Sequence, residues 1–431
     1  MQLVPAQLRI FLQGRPQWLS VAFAALVTFS VYTCIYGYRK AYTAAGFTLQ
    51  SFAGIDLKVW LVTAQVMGYM FSKFYGIKFI AENADREKGS TILWLIAASW
   101  LALLGFALVP APWSIFFMLL NGFPLGMIWG LVFSYVEGRR TTELMGAVLA
   151  SSFIFASGFA KSLGTWLIKD VGVPEEWMPF CAGALYFLPL MLFTWLLQAI
   201  SPPTTADLQS RCERKSMDIA QRKKFVHNFW SGLLMLIISY ILLTILRDFR
   251  DNFAPEILQE LNLSGQASVF TQTETLVALM VLAVVGLVML AHHNFKAFLL
   301  NHLIILAGWL ITAGTTLLFL YKLLAPMPWF VCVGSGLYMG YIPINTLYFE
   351  RMIASFRLTA NVGFVMYLAD AFGYLGSVLV LFIKQFSGIQ LSWTQFFIQA
   401  ILAGAGISTV LLLLCMMYYK RKYYIAPNQL L

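Results

Sequence analysis

Charge is what this chain has least of. Of 431 residues only 11% are Asp, Glu, Lys or Arg, against 60% hydrophobic, a balance too apolar for a water-facing surface. That excludes an ordinary soluble enzyme. Cysteine is sparse as well: Cys34, Cys181, Cys212, Cys332 and Cys415 form no Cys-x-x-Cys pair and most lie inside apolar runs, which argues against disulfide or cysteine-metal chemistry. The four histidines, His227, His292, His293 and His302, fit no metal-ligand or nucleophile pattern, and there is no Gly-rich phosphate loop. No cofactor and no metal are expected, ATP-driven pumping is set aside, and the chain is read as a non-enzyme. The net charge of +10 comes without a basic block interleaved with stacking aromatics, so nucleic acid is not an expected partner.

What the chain does have is long hydrophobic runs, at about 18–44, 57–81, 90–110, 113–136, 142–168, 177–200, 228–252, 268–291, 297–321, 327–349, 354–384 and 391–418. Each reaches the roughly 20 residues a helix needs to span a bilayer. Strands are excluded, because lipid offers no partner to unpaired backbone groups. The first run follows Arg9 and Arg15 but lacks a small-residue cleavage pattern, so it reads as a retained helix rather than a signal peptide.

The runs fall six and six around a polar stretch, predicting an N-terminal six-helix bundle over 1–200, a basic cytoplasmic linker over 201–226 and a C-terminal six-helix bundle over 227–431. The linker opens with Pro202 and Pro203 and carries Arg211, Arg214, Lys215, Arg222, Lys223 and Lys224; it reads as solvated chain near anionic lipid, a regulator site being the other reading. Lys and Arg between the runs concentrate on the N-terminal side of the membrane, with only Lys169, Lys322 and Lys384 opposite. Both termini are therefore expected in the cytoplasm, in an inner or plasma membrane. Gly122, Gly126, Ile128, Tyr135 and Glu137 of the fourth run recur as Gly336, Gly340, Ile342, Tyr348 and Glu350 of the tenth, which makes the halves parallel repeats, as in the major facilitator architecture.

An ionised group in hydrocarbon is costly unless paired or wet, so each is a functional candidate. Those inside the runs are Arg39, Lys40, Lys73, Lys161, Arg247, Glu274 and Asp370; Asp248, Arg250 and Asp251 follow at the outer end of the seventh. Arg39 and Arg247 hold comparable places in the first helix of each half, and two guanidiniums across a central cavity suit bidentate capture of phosphate or carboxylate. The other reading pairs Arg247 with Asp248 or Asp251 and lets Arg39 snorkel, since at ~1.5 Å per residue it stands about 34 Å from Pro16. Tyr32, Tyr36 and Arg39 share a helical face; the tyrosines serve either an anion or packing. Lys161 is expected to pair with Glu274 and Lys73 with Asp370 as inter-half salt bridges, unless Lys73 snorkels or an acid carries a proton.

At these residues the chain resembles the organophosphate:phosphate antiporters of the major facilitator superfamily, the glycerol-3-phosphate and hexose-6-phosphate transporter group. The likeness runs through Tyr32-Thr-Cys-Ile-Tyr36-Gly-Tyr38-Arg39-Lys40, Gly68-Tyr69-Met70-Phe71-Ser72-Lys73-Phe74, Gly122-Phe123-Pro124-Leu125-Gly126-Met127-Ile128-Trp129, the spacing of Arg247 from Pro255, Thr273-Glu274, and Phe372-Gly373-Tyr374-Leu375-Gly376. It implies that Arg39 and Arg247 hold a phosphoryl group with Lys40, Lys73, Tyr32 and Tyr36 nearby. The chain departs from the group in carrying Lys161 in place of a histidine in the fifth helix, in the spacing of Asp85-Arg86 from Gly76, and in the charged run Arg247-Asp248-Phe249-Arg250-Asp251.

The expected protein is thus an all-α, twelve-helix transporter working by alternating access on an organic phosphate or other phosphate-bearing anion, in exchange for inorganic phosphate. A proton-coupled carrier of carboxylates and a transporter-like sugar-phosphate sensor are the alternatives. Its expected partners are a small anionic substrate and membrane lipid, with the chain acting as a monomer.

Overall fold

A computed structural model describes residues 3–47, 50–82, 88–203, 207, 219–263, 265–289, 293–356, 362–386 and 391–425. Arg211, Arg214 and Lys215 of the expected linker, and the Asp85-Arg86 pair, lie outside them.

Apart from one two-stranded hairpin the described chain is helical: α1 (Leu3–Gln13), α2 (Gln17–Lys40) with a 3-10 turn (Ala41–Ala44), α3 (Leu57–Glu82), α4 (Lys88–Leu108), α5 (Trp113–Phe133), α6 (Thr142–Lys169) and α7 (Met178–Leu197). Then come α8 (Ile219–Asn252), α9 (Ala254–Glu260), α10 (Val269–Met289), α11 (Asn294–Leu320), α12 (Pro326–Pro343), a π turn (Ile344–Tyr348), α13 (Phe349–Phe356), α14 (Val362–Phe386) and α15 (Trp393–Ile425). Eleven helices among the described residues are long and apolar enough to cross a membrane. The long helix outside that set is α3, whose 26 residues include Lys58, Lys73 and Lys78.

The tenth span continues through the π turn and α13 to Phe356, so its end and the start of the eleventh both fall later than the hydrophobic pattern suggests. The cause is local: Pro343 has no N–H to give the preceding turn, and the helix widens rather than stops. Likewise α8 begins at Ile219, which places Lys223 and Lys224 in its first turns instead of a loop. The hairpin Ser51–Phe52 with Ile55–Asp56 turns on Ala53 and Gly54, both at positive φ (53° and 75°), as a two-residue hairpin of this hand requires.

The chain forms two compact units. The first holds Met1–Arg211, Asp251–Ala278 and Leu381–Ile389; the second holds Cys212–Arg250, Leu279–Val380 and Gln390–Leu431. The boundary therefore passes within α8, α10 and α14 as well as through the linker region. In the first unit α3 packs along α5, α2 along α6 and α7, and α4 along α5; in the second, α11 packs along α12 and α15. Large apolar side chains such as Trp94 and Leu188 stay exposed, at 75% and 73%, the arrangement expected of surfaces that lipid covers.

Lipid is as apolar as leucine, so close helix approach must come from small residues. A Cβ on Gly122 would sit 2.2 Å from the Gln65 carbonyl, and one on Gly68 would sit 2.1 Å from the Leu119 carbonyl. These two glycines let α3 and α5 touch backbone to backbone. The matched glycine of the second half works on a different neighbour: a Cβ on Gly336 would meet the Thr312 hydroxyl at 2.2 Å and the Gly308 carbonyl at 2.5 Å on α11.

Gly122→Leu is accordingly expected to lower stability by at least about 1–3 kcal/mol through overpacking. Gly286, which has nothing within 4 Å of an added Cβ, should accept alanine unchanged or with a gain of roughly 0.5–1 kcal/mol. Melting temperatures of the detergent-purified variants decide both.

Candidate functional site

In the first unit Arg39 and Lys73 gather on an aromatic ring, and Lys40 and Lys161 on a carboxylate. Arg39 lies one residue from the end of α2 and is half-buried. Its guanidinium carbon stands 4.1 Å from the centre of the Tyr69 ring and 5.4 Å from that of Tyr36, with Nη1 3.5 Å from the Tyr36 hydroxyl. Lys73 is buried, and its Nζ lies 5.3 Å from the centre of the same Tyr69 ring. Tyr69 and Lys73 are four apart and so share a face of α3. One phenol ring thus carries two cations, each such contact contributing about 0.5–2 kcal/mol.

Tyr32 is fully buried against Tyr36, Trp129 and Phe153, at ring-centre distances of 5.6, 5.3 and 5.1 Å. Its surroundings are those of a packed aromatic. Tyr36 also stacks on Phe153, at 6.1 Å. Tyr69 stands four before Lys73, and that spacing was the available sequence signal for it.

The carboxylate is Asp251, the residue at which α8 passes into the first unit. Its Oδ2 is 2.6 Å from Lys40 Nζ, which also donates to Asn252 Oδ1 at 2.7 Å. The other oxygen, Oδ1, takes Lys161 Nζ and the Ser157 hydroxyl, and Lys161 donates to Ser157 Oγ at 2.7 Å. This corrects the expected pairing of Lys161 with Glu274. Glu274 lies deeper in an apolar run, yet Asp251, near the end of α8, is the acid that meets Lys161. Glu274 lies against Gly158, where a Cβ would meet its Cβ and Cγ at 2.7 Å. Lys58 adds a further pair, 2.5 Å from Glu256 Oε1.

The second unit builds its cluster on α8 and α12. Arg247 is buried, its guanidinium carbon 3.8 Å from the centre of the Tyr341 ring and its Nη2 donating to Asp248 Oδ1 at 2.6 Å. Its Nε has no hydrogen-bond partner among the described residues. The Ser377 hydroxyl donates to the other Asp248 oxygen at 3.0 Å. Tyr240 stacks on Tyr341, at 5.4 Å and 16°, and donates its hydroxyl to Asp370. Asn345, in the π turn, donates its amide to the Tyr240 hydroxyl at 3.0 Å and to the Tyr341 carbonyl at 3.2 Å. The same carbonyl also accepts the Ile344 N–H, and π turns of this kind are frequent at functional positions. Arg250 is fully buried on the Phe330 ring and donates twice to the Phe330 carbonyl, at 3.2 and 3.3 Å.

Of the residues expected at the site, Tyr36, Arg39 and Lys73 therefore converge on Tyr69, with Tyr32 beside them. Lys40 is held by Asp251 and Asn252. Arg247 and Asp370 belong to the second unit, where Tyr341 and Tyr240 join them. Lys73 and Asp370, proposed as a pair from sequence, fall in different units.

A family model described as "Family of unknown function (DUF5690)" matches residues 41–422. Among solved structures, the nucleoside transporter NupG is similar over 93% of this chain and 98% of its own, at 14% identity and a TM-score of 0.59. The major facilitator proton:xylose symporter XylE, bound to 6-bromo-6-deoxy-D-glucose, is similar over 94% and 96%, at 13% identity and a TM-score of 0.59. The likeness establishes the fold: an all-α, multi-pass membrane protein of the major facilitator type.

Removing the Asp251 charge leaves Lys40 and Lys161 buried without their shared counter-ion. Asp251→Asn is expected to cost about 3–5 kcal/mol, read as a large fall in melting temperature in detergent. A change of under about 1 kcal/mol would show that the two lysines are neutral or hydrated in the folded protein.

Proposed function

This chain belongs to the DUF5690 family, whose function is unknown, and from that premise, with its major facilitator fold, we propose that it is a secondary transporter of a small phosphate-bearing organic anion. The observation that carries the reading is the cluster of Arg39, Lys73 and Tyr36 about Tyr69. A planar guanidinium and a point-like ammonium side by side suit the several oxygens of a phosphoryl group. Tyrosine hydroxyls beside them add neutral donors. Arg247 is proposed as a second anion ligand, in the second unit. Tyr341 covers its face and Asp248 takes one edge, which leaves further guanidinium donors.

The proposed cycle is alternating access, in which the anion binds the two conformations with different affinity, the only way a ligand shifts such an equilibrium. Exchange for inorganic phosphate supplies the counter-flux. The distribution of Lys and Arg between the spans supports cytoplasmic termini in an inner or plasma membrane. A second reading, proton-coupled carriage of a carboxylate, draws on the Asp370 carboxyl and its Tyr240 donor. Uptake into proteoliposomes separates the two, since exchange requires phosphate inside the vesicle and proton coupling requires a pH gradient.

Arg39→Lys and Arg247→Lys are each expected to weaken binding of inorganic phosphate at least about tenfold, because a point charge cannot reproduce the planar fork. Titration calorimetry of the purified variants measures this. Unchanged affinity in both would overturn the assignment.

A further inference from the structure

Asn121 is a fully buried amide in an apolar helix, and its role is visible only in what it touches. Its Nδ2 lies 3.2 Å from the Tyr38 carbonyl, 3.1 Å from the Ser99 carbonyl and 2.7 Å from Ser99 Oγ. Its Oδ1 accepts from Gln65 Nε2 at 2.7 Å, and Gln65 Nε2 also donates to the Arg39 carbonyl at 2.9 Å. Gln65, Ser99 and Asn121 are all buried, at 3%, 0% and 0%. Four helices, α2 to α5, therefore meet at three side chains. The groups they hold on α2 are the carbonyls of Tyr38 and Arg39, where the α-helix ends and the 3-10 turn begins.

The stripe of α3 that supplies Gln65 continues, at steps of four, through Tyr69 to Lys73. Residues at i, i+4 and i+8 lie along one helix face. Gln65 thus grips the backbone of Arg39 while Tyr69 underlies its guanidinium, and Lys73 completes the cationic pair. The stripe can reach Asn121 because Gly122 admits the backbone of Gln65 at contact. We propose that Gln65 and Asn121 are positioning residues that aim the Arg39 guanidinium and so set the affinity for the anion. The proposal rests on the reading of Arg39 as an anion ligand.

An amide that merely glued helices together would change stability and leave selectivity alone. A misdirected guanidinium instead loses the two-pronged fit to phosphate while keeping its charge. The test uses detergent-purified full-length protein and two probes, inorganic phosphate and chloride, titrated against the wild type, Gln65→Met, Asn121→Leu and Ser99→Ala. Ser99 belongs to the same network but touches neither the Tyr38 nor the Arg39 carbonyl.

Gln65→Met and Asn121→Leu are expected to weaken phosphate at least about tenfold, chloride much less, so that the ratio of the two affinities falls. Ser99→Ala should lower the melting temperature and leave the ratio at the wild-type value. A ratio unchanged in the Gln65 and Asn121 variants, or lowered equally in Ser99→Ala, overturns the positioning role. If Asn121→Leu does not fold, Gln65→Met decides alone, since Gln65 contacts the Arg39 carbonyl directly. A wild type that shows no saturable phosphate binding brings down the anion reading of Arg39 itself, and this inference with it.

Discussion

A charged side chain placed among membrane helices must be paired, stacked or hydrated, and the internal order of each unit follows from how that requirement is met. In the first unit one carboxylate, Asp251, answers two lysines on different helices, Lys40 of α2 and Lys161 of α6. Glu256 answers Lys58 at the start of α3. In the second unit Arg247 is answered by Asp248, and Arg250 by a carbonyl and a ring of α12. Apart from the Arg247–Asp248 contact, which lies within α8, each of these contacts names two segments that must stay together. Apolar faces alone could not do so, because leucine gains little by leaving lipid for another leucine.

Glycine does the remaining work of registration. Gly68 and Gly122 bring α3 and α5 to backbone contact, and polar side chains then reach across where a larger residue would hold the helices apart. The depth of that approach explains how an amide on α5 and an amide on α3 can both serve the carbonyls of α2. In the second half the same glycine spacing faces α11 through Gly308 and Thr312. The two halves thus share a sequence device while differing in the contacts the device serves.

What the sequence made legible follows from the same physics. Spans could be read because twenty apolar residues have no other stable use, and charged residues inside them stood out against an almost uncharged background. Partners could not be read, because rotation of a helix about its axis leaves no trace in hydropathy. Glu274 is the deeper acid, yet the partner of Lys161 is Asp251, near the end of α8. Tyr69 was visible as part of a motif but not as the ring on which Arg39 and Lys73 rest. Asn121 and Gln65 carry no charge and so do not stand out in a pattern of intramembrane charges, although a buried amide must also find partners.

Arg39 and Lys40 show how far such placement can separate neighbours. Successive residues on a helix point about 100° apart; here one cation is closed into an ion pair with Asp251 and the other lies half-buried on an aromatic face. Lys40 cannot leave its carboxylate without stranding a buried charge, so it serves the fold. Arg39 instead rests on the rings of Tyr69 and Tyr36, and its planar fork is the kind of group that suits oxygen acceptors. Among the buried charged side chains of the first unit, Lys40, Lys58, Lys73 and Lys161 stand against Asp207, Asp251 and Glu274, with Arg39 half-buried beside them, whereas in the second Arg247 and Arg250 are matched in number by Asp248 and Asp370. A surplus of positive charge between low-dielectric helices concentrates anions. In the proposed reading the first unit supplies the attraction, and the arrangement of Tyr69, Gln65 and Asn121 determines how the anion is met.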